Sequence, residues 1–202
     1  MKKLFLLVLT PFLINAQIKK EVINPKGNWY FGVEVGNNKI ISYEFNEPKN
    51  SFQTGILAEY SFNNFFSVSG RVKYFKTGVS FKSLNRPIGG HFDGSVICIP
   101  INANVNFNFN TKFYPTLKLG LAWNRETESN YTFTNSYSKT FISINLGAGL
   151  NYNLNKKVVI YSTIEGYFFG GYKGNSQSFL FSKNYFTENI VINLGVKRSI
   201  FK

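Results

Sequence analysis

The chain is 202 residues long, room for one domain and a short leader, and it is 16% charged and 18% aromatic. That charge falls well under the roughly 25% of soluble domains and excludes a well-solvated helical protein. Its one cysteine, Cys98, excludes a disulfide-stapled fold, and its net charge of +13 comes without a nucleic-acid-binding motif, so anionic lipid head groups suit it better than nucleic acid.

The first predicted element is an export signal. Lys2 and Lys3 precede an apolar core over residues 4–14, and Ala16 offers a small residue for cleavage. The core is too short to anchor in a bilayer. Residues 1–16 are therefore expected to be a signal peptide, 17–27 a short periplasmic lead-in, and 28–202 a single domain.

Beyond the leader no apolar run reaches the roughly 18 residues of a membrane helix. Period two dominates instead, with β-branched and aromatic residues on one phase, which is the strand signal. The first segment, 28–36, sets Trp29, Phe31, Val33 and Val35 on one face and Tyr30, Gly32 and Glu34 on the other. The second and third cover 52–62 and 65–79. The fourth, 94–108, carries Ile97, Ile99, Ile101, Ala103, Val105 and Phe107 in one phase and Asn102, Asn104 and Asn106 in the other. Cys98 reads as a small packed residue there. Pro100 cannot donate a ladder hydrogen bond and predicts a local bulge. The last four segments are 113–125, 139–152, 157–169 and 188–201.

The connections alternate in length. Asn63-Asn64, 108–112 and 153–156 are tight and rich in asparagine, which tolerates turn geometry. The others, 37–51, 80–93, 126–138 and 170–187, are long. Short turns on one side and long loops on the other predict an all-β fold, an eight-stranded antiparallel up-and-down transmembrane β-barrel with both termini in the periplasm.

Aromatic residues gather at the segment ends. Trp29, Tyr60, Phe62, Phe65, Phe66, Phe107, Phe113, Tyr152 and Phe201 fall on the turn side, and Phe52, Tyr74, Trp123, Phe141 and Phe168 on the loop side. Two such girdles are what bilayer interfaces select. The phase opposite the apolar one is rich in Gly, Asn and Ser and carries Glu34, Glu59, Arg71, Lys73, Lys118, Glu165 and Lys197. An eight-stranded barrel is just wide enough to be filled by side chains, so these seven are expected to form a lumenal ion-pair network. A soluble lipocalin-like ligand carrier would turn the apolar phase inward instead.

No catalytic, metal or cofactor site is expected. His91, Asp93 and Ser95 mimic a Ser–His–Asp set at i, i+2, i+4, but they read as a polar loop with one histidine. A single His and a single Cys cannot build a metal shell. Residues 170–174 lack phosphate-loop spacing. On this topology Lys19, Lys20, Lys26, Lys112, Lys156, Lys157, Arg198 and Lys202 face the periplasm, either as a solvated rim or as ligands of inner-leaflet phosphates.

The signal peptide, the eight alternating segments, the Asn-rich turns, the Ile99-Pro100-Ile101 strand and the end Ser199-Ile200-Phe201-Lys202 together resemble the outer membrane protein β-barrel domain family, small barrels of the OmpA and OmpX type. The resemblance spans the mature chain. It implies the cell outer membrane of a Gram-negative bacterium, outer-membrane lipids and lipopolysaccharide as surroundings, and the barrel-assembly machinery as a partner during insertion. The role expected is structural or surface-interacting, with four loops that offer Tyr43, Phe45, Tyr131, Phe133, Tyr137 and Tyr172 to a ligand left open. A narrow, porin-like transport channel and a rim-located lipid-modifying enzyme are the alternatives.

Overall fold

A computed structural model describes residues 25–40, 46–48, 50–81, 91–107, 111–129, 140–168 and 189–200. The expected signal peptide, most of the lead-in and the six loop aromatics named above lie outside the described residues.

The alternating segments become strands: β1 (Trp29–Ile40), β2 (Asn46–Pro48), β3 (Asn50–Ser61), β4 (Phe66–Phe81), β5 (His91–Asn106), β6 (Phe113–Ser129), β7 (Thr140–Asn153), β8 (Val158–Phe168) and β9 (Asn189–Ser199). Eight of them are staves in the order β4-β3-β1-β9-β8-β7-β6-β5, and pairing of β4 with β5 closes the ring. Every pairing is antiparallel, so the barrel is the up-and-down one that the connections predict. Closure removes the sheet edges that would otherwise carry unpaired backbone groups.

Exposure decides which face points where. On the outer wall Ile56 is 60% exposed and Leu194 58%, whereas inward-facing Glu34 is 1% exposed and Lys73 0%. The polar phase therefore fills the lumen and the apolar phase forms the wall. This is the reverse of a lipocalin-like carrier and the arrangement a hydrocarbon solvent requires.

The loop-side ends run further than period two suggested. β1 continues to Ile40, β4 reaches Phe81, β5 begins at His91 and β6 extends to Ser129. The short β2 lies inside the first expected loop and pairs with Val79–Phe81 at the end of β4. Alternation was blind here because the outward residues stop being apolar. Val35 is followed outward by Asn37 and Lys39, and Trp123 by Arg125 and Thr127.

Two tight turns share one geometry. In the first, Asn63 Oδ1 accepts from the backbone N–H groups of Phe65 and Phe66, each at 2.8 Å. In the last, Asn155 Oδ1 accepts from Lys157 N–H at 2.8 Å and Val158 N–H at 2.9 Å. Short polar side chains that mimic a backbone turn explain the asparagines. Before β1, Gly27 adopts a φ of 78°, which glycine alone takes at no steric cost, and its N–H donates to Ser61 O at 2.8 Å.

The bulge expected at Pro100 is not there. The β4–β5 register passes from Gly70↔Ile101 to Lys73↔Cys98 without a shift, and the ladder is simply interrupted opposite Arg71 and Val72. On its other side Pro100 pairs with Ala122. An interrupted ladder absorbs the missing donor without an extra residue. The irregularity in β5–β6 lies instead between Ser95 and Val96, where the partner passes from Glu128 to Glu126.

Candidate functional site

Each stave sends every second side chain into the lumen, so the site is built by register rather than by sequence proximity. The structure brings the seven expected charges into two groups. In the central one, Lys73 Nζ lies 2.9 Å from Glu34 Oε1 and 2.9 Å from Glu165 Oε2, bridging the two carboxylates. Arg71 pairs with Glu165 and stands 3.7 Å from Glu34 Oε2. Lys118 Nζ reaches Glu165 Oε1 at 3.2 Å. Tyr161 donates to Glu34 at 3.0 Å, and Thr163 and Tyr167 donate to Glu165 at 3.1 and 3.2 Å. The second group is a pair, Lys197 Nζ to Glu59 Oε2 at 2.7 Å, with Ser67 donating to the other carboxylate oxygen at 2.8 Å.

Glycines make the room. A Cβ at Gly55 would stand 3.1 Å from Lys73 Cγ and 3.3 Å from Glu34 Oε1, and one at Gly147 would stand 2.9 Å from Glu165 Cγ. Contacts that tight force a neighbour to shift, so side chains there would displace the ion pairs.

Apolar clusters flank the charges, with buried polar side chains such as Gln53 and Asn151 at the same levels. Toward the loops, Phe75, Val96, Cys98, Ala122, Tyr167 and Val191 pack together. Toward the turns, Tyr30, Tyr114 and Val159 do the same. Lys197 Nζ lies 5.4 Å from the centre of the Tyr30 ring, within cation–π range. Below the charges a polar ladder links Asn104 to Ser69 at 3.1 Å, Thr116 to Asn106 at 2.7 Å and Asn151 to Thr116 at 2.6 Å.

Sequence reasoning missed one lumenal charge, Glu126. It falls in the expected loop 126–138, yet it is buried on the inward face of the extended β6. With it, the described lumen holds Glu34, Glu59, Glu126 and Glu165 against Arg71, Lys73, Lys118 and Lys197, so its formal charges cancel.

On the outer wall Trp29, Tyr60, Phe62 and Phe66 touch in a run, with centroids 5.0, 4.9 and 5.7 Å apart, and Phe113 meets Tyr152 at 4.6 Å. Phe107, Tyr74 and Trp123 are exposed on the same wall, and Phe168 is half-buried in the outward phase of β8. Phe141 is the correction: it is 5% exposed and shares the inward phase of β7 with Ser143 and Asn145. Apolar side chains also line the loop-side lumen, so an aromatic at a strand end need not face lipid. Phe201 lies outside the described residues.

His91, Asp93 and Ser95 all fall in β5, in register with Ser80, Gly78 and Lys76 of β4. The Ser95 hydroxyl accepts from Tyr74 at 3.0 Å and donates to Glu128 at 3.4 Å, while the side chains of His91 and Asp93 lie outside the described residues. Among the described residues no three metal-ligating side chains stand together.

The sequence pattern of the outer membrane protein beta-barrel domain matches residues 6–197. No curated protein matches the chain in sequence. Among solved structures, the chain is similar to Neisserial surface protein A (NspA) at 18% identity and a TM-score of 0.59, over 84% of this chain and 96% of that one. It is similar to the outer membrane protein OprG from Pseudomonas aeruginosa at 13% identity and 0.58, over 88% and 98%. It is also similar to Ail, the attachment invasion locus protein of Yersinia pestis, at 19% and 0.54, over 87% and 99%. At these identities the likeness is one of fold.

Proposed function

The chain belongs to the outer membrane protein beta-barrel domain family and resides in the cell outer membrane among its lipids, and from that premise we propose that it is a non-conducting barrel whose work is done at its surface. The observation that carries this reading is the filled lumen. Charges that meet opposite charges, packed among apolar clusters and hydrogen-bonded polar side chains, fill the described lumen and argue against an open path for ions. Such a barrel is a stiff mount for what its loop-side hairpins present.

The hairpins support that use. β4, β5 and β6 continue past the wall positions of Tyr74 and Trp123, and β2 adds a further strand beside β4. Loop residues Tyr43, Phe45, Tyr131, Phe133, Tyr137 and Tyr172 would then supply contact area to an extracellular partner. In the same reading residues 1–16 are removed on export, the barrel-assembly machinery inserts the rest, and the wall aromatics mark the two bilayer interfaces.

Planar-bilayer recording tests the proposal. The purified barrel should show no unitary conductance steps above the empty bilayer. Reproducible steps of one size would overturn it in favour of a narrow channel. Catalysis has no part in the proposal, so His91→Ala should leave the lipid A of the host membrane unchanged, and an altered acylation pattern would restore the enzyme reading.

A further inference from the structure

The outer wall is not uniform. On the face of β5, β6 and β7 a groove of about 510 Å³ opens between Ile99, Ile101, Leu119, Leu121, Trp123 and Ile142. Ala103, the smallest outward side chain of β5, leaves the room for it. The outward residue after Trp123 is Arg125, about 7 Å further toward the loops at the rise of an antiparallel strand. Across β5 stands Lys76, in register with Ser95 while Arg125 is in register with Ile97. Both cations are exposed. Their backbones are separated by two strand spacings, on the order of 10 Å. A described acid shares this rim: the Glu128 carboxylate accepts at 3.4 Å from Ser95, which lies on the strand between the two cations at the register position of Lys76, so anionic groups would seat on the outer sides of Lys76 and Arg125.

We propose that this face seats one diphosphorylated, multiply acylated glycolipid of the lipid A class, with an acyl chain in the groove and its phosphates on Arg125 and Lys76. An apolar trough capped by cations matches an acyl chain ending in an anionic head. Two cations set two strand spacings apart fit a head group with two separated phosphates better than a single phosphodiester. A second copy of the barrel is disfavoured by symmetry: a two-fold axis along the membrane normal would bring each Arg125 and Lys76 to the level of its own counterpart.

The test uses the full barrel in phosphatidylcholine nanodiscs that carry either hexa-acyl diphosphoryl lipid A or phosphatidylglycerol at equal mole fraction. Lipid retained after detergent release is counted by native mass spectrometry. Lipid A should be retained at least fivefold over phosphatidylglycerol. Ala103→Phe, which fills the groove, and the pair Lys76→Gln with Arg125→Gln should each cut retention at least fivefold. Val33→Phe on β1, diametrically across the barrel, should leave it unchanged, and the mobility shift on boiling checks that each variant is folded. Equal retention of the two lipids, equal loss from Val33→Phe, or a dimer that Ala103→Phe dissolves would each overturn the proposal.

Discussion

Glu165 faces three cations at once, Arg71, Lys73 and Lys118, whereas Glu59 faces Lys197 with the Tyr30 ring beside it. Removing one partner of a buried ion pair leaves the other uncompensated and costs about 3–5 kcal/mol. Glu165→Gln strands three charges with only Glu34 left to meet them, so it should lose that much in reversible urea unfolding from phospholipid vesicles. Glu59→Gln should lose clearly less, because Lys197 keeps an aromatic face; the opposite ranking would show that the central cluster does not carry the load its contacts suggest. Which residues face inward was legible in the sequence, because period two separates the phases wherever one is apolar. Which acid meets which base was not, because pairs such as Arg71 with Glu165 depend on registers accumulated around the ring. Glu126 was hidden for a different reason: with Arg125 and Thr127 beside it, both phases are polar and alternation has no contrast.

At the level of elements, the tight turns were readable because asparagine has a mechanical role in them. Asn63 and Asn155 each hold two backbone N–H groups of the following residues. Asn63→Ala and Asn155→Ala should each cost roughly 1 kcal/mol, the net worth of a hydrogen bond or two at an exposed turn, while Asn64→Ala should be silent in the same urea assay. The strands were readable only as far as lipid covers them. Leu194 lies mid-strand on the wall and Thr127 on the extension of β6 beyond Trp123. Leu194→Arg should destabilise by about 2–4 kcal/mol, the cost of a cation near the bilayer midplane, and Thr127→Arg by a small fraction of that. Equal costs would mean that the extension is also buried in lipid. Pro100 shows the limit of a one-residue rule: a missing donor can be met by a gap in the ladder as well as by a bulge, and only the two-sided register tells them apart.

For the whole molecule, the balanced lumen puts the surplus charge elsewhere. With four acids and four bases cancelling inside, the net charge of +13 rests on residues outside the described lumen. Part of it rings the turn end, where Lys112, Lys157 and Arg198 are exposed close to Phe113, Val158 and Ile200. Basic residues at that depth are drawn to anionic head groups, and the attraction fades within a Debye length as salt rises. Folding into vesicles that contain phosphatidylglycerol should therefore be several-fold faster than into neutral phosphatidylcholine vesicles at low salt, and the advantage should vanish in 1 M salt. Replacing Lys112, Lys157 and Arg198 together by glutamine should remove most of that advantage without changing the rate into neutral vesicles. A variant that keeps the full advantage would move the attraction to the loop-side cations Lys39, Lys76 and Arg125, and so to the rim that bears the proposed lipid seat. A variant that slows in both vesicle types would mean that these three residues act on the fold itself rather than on its approach to the bilayer.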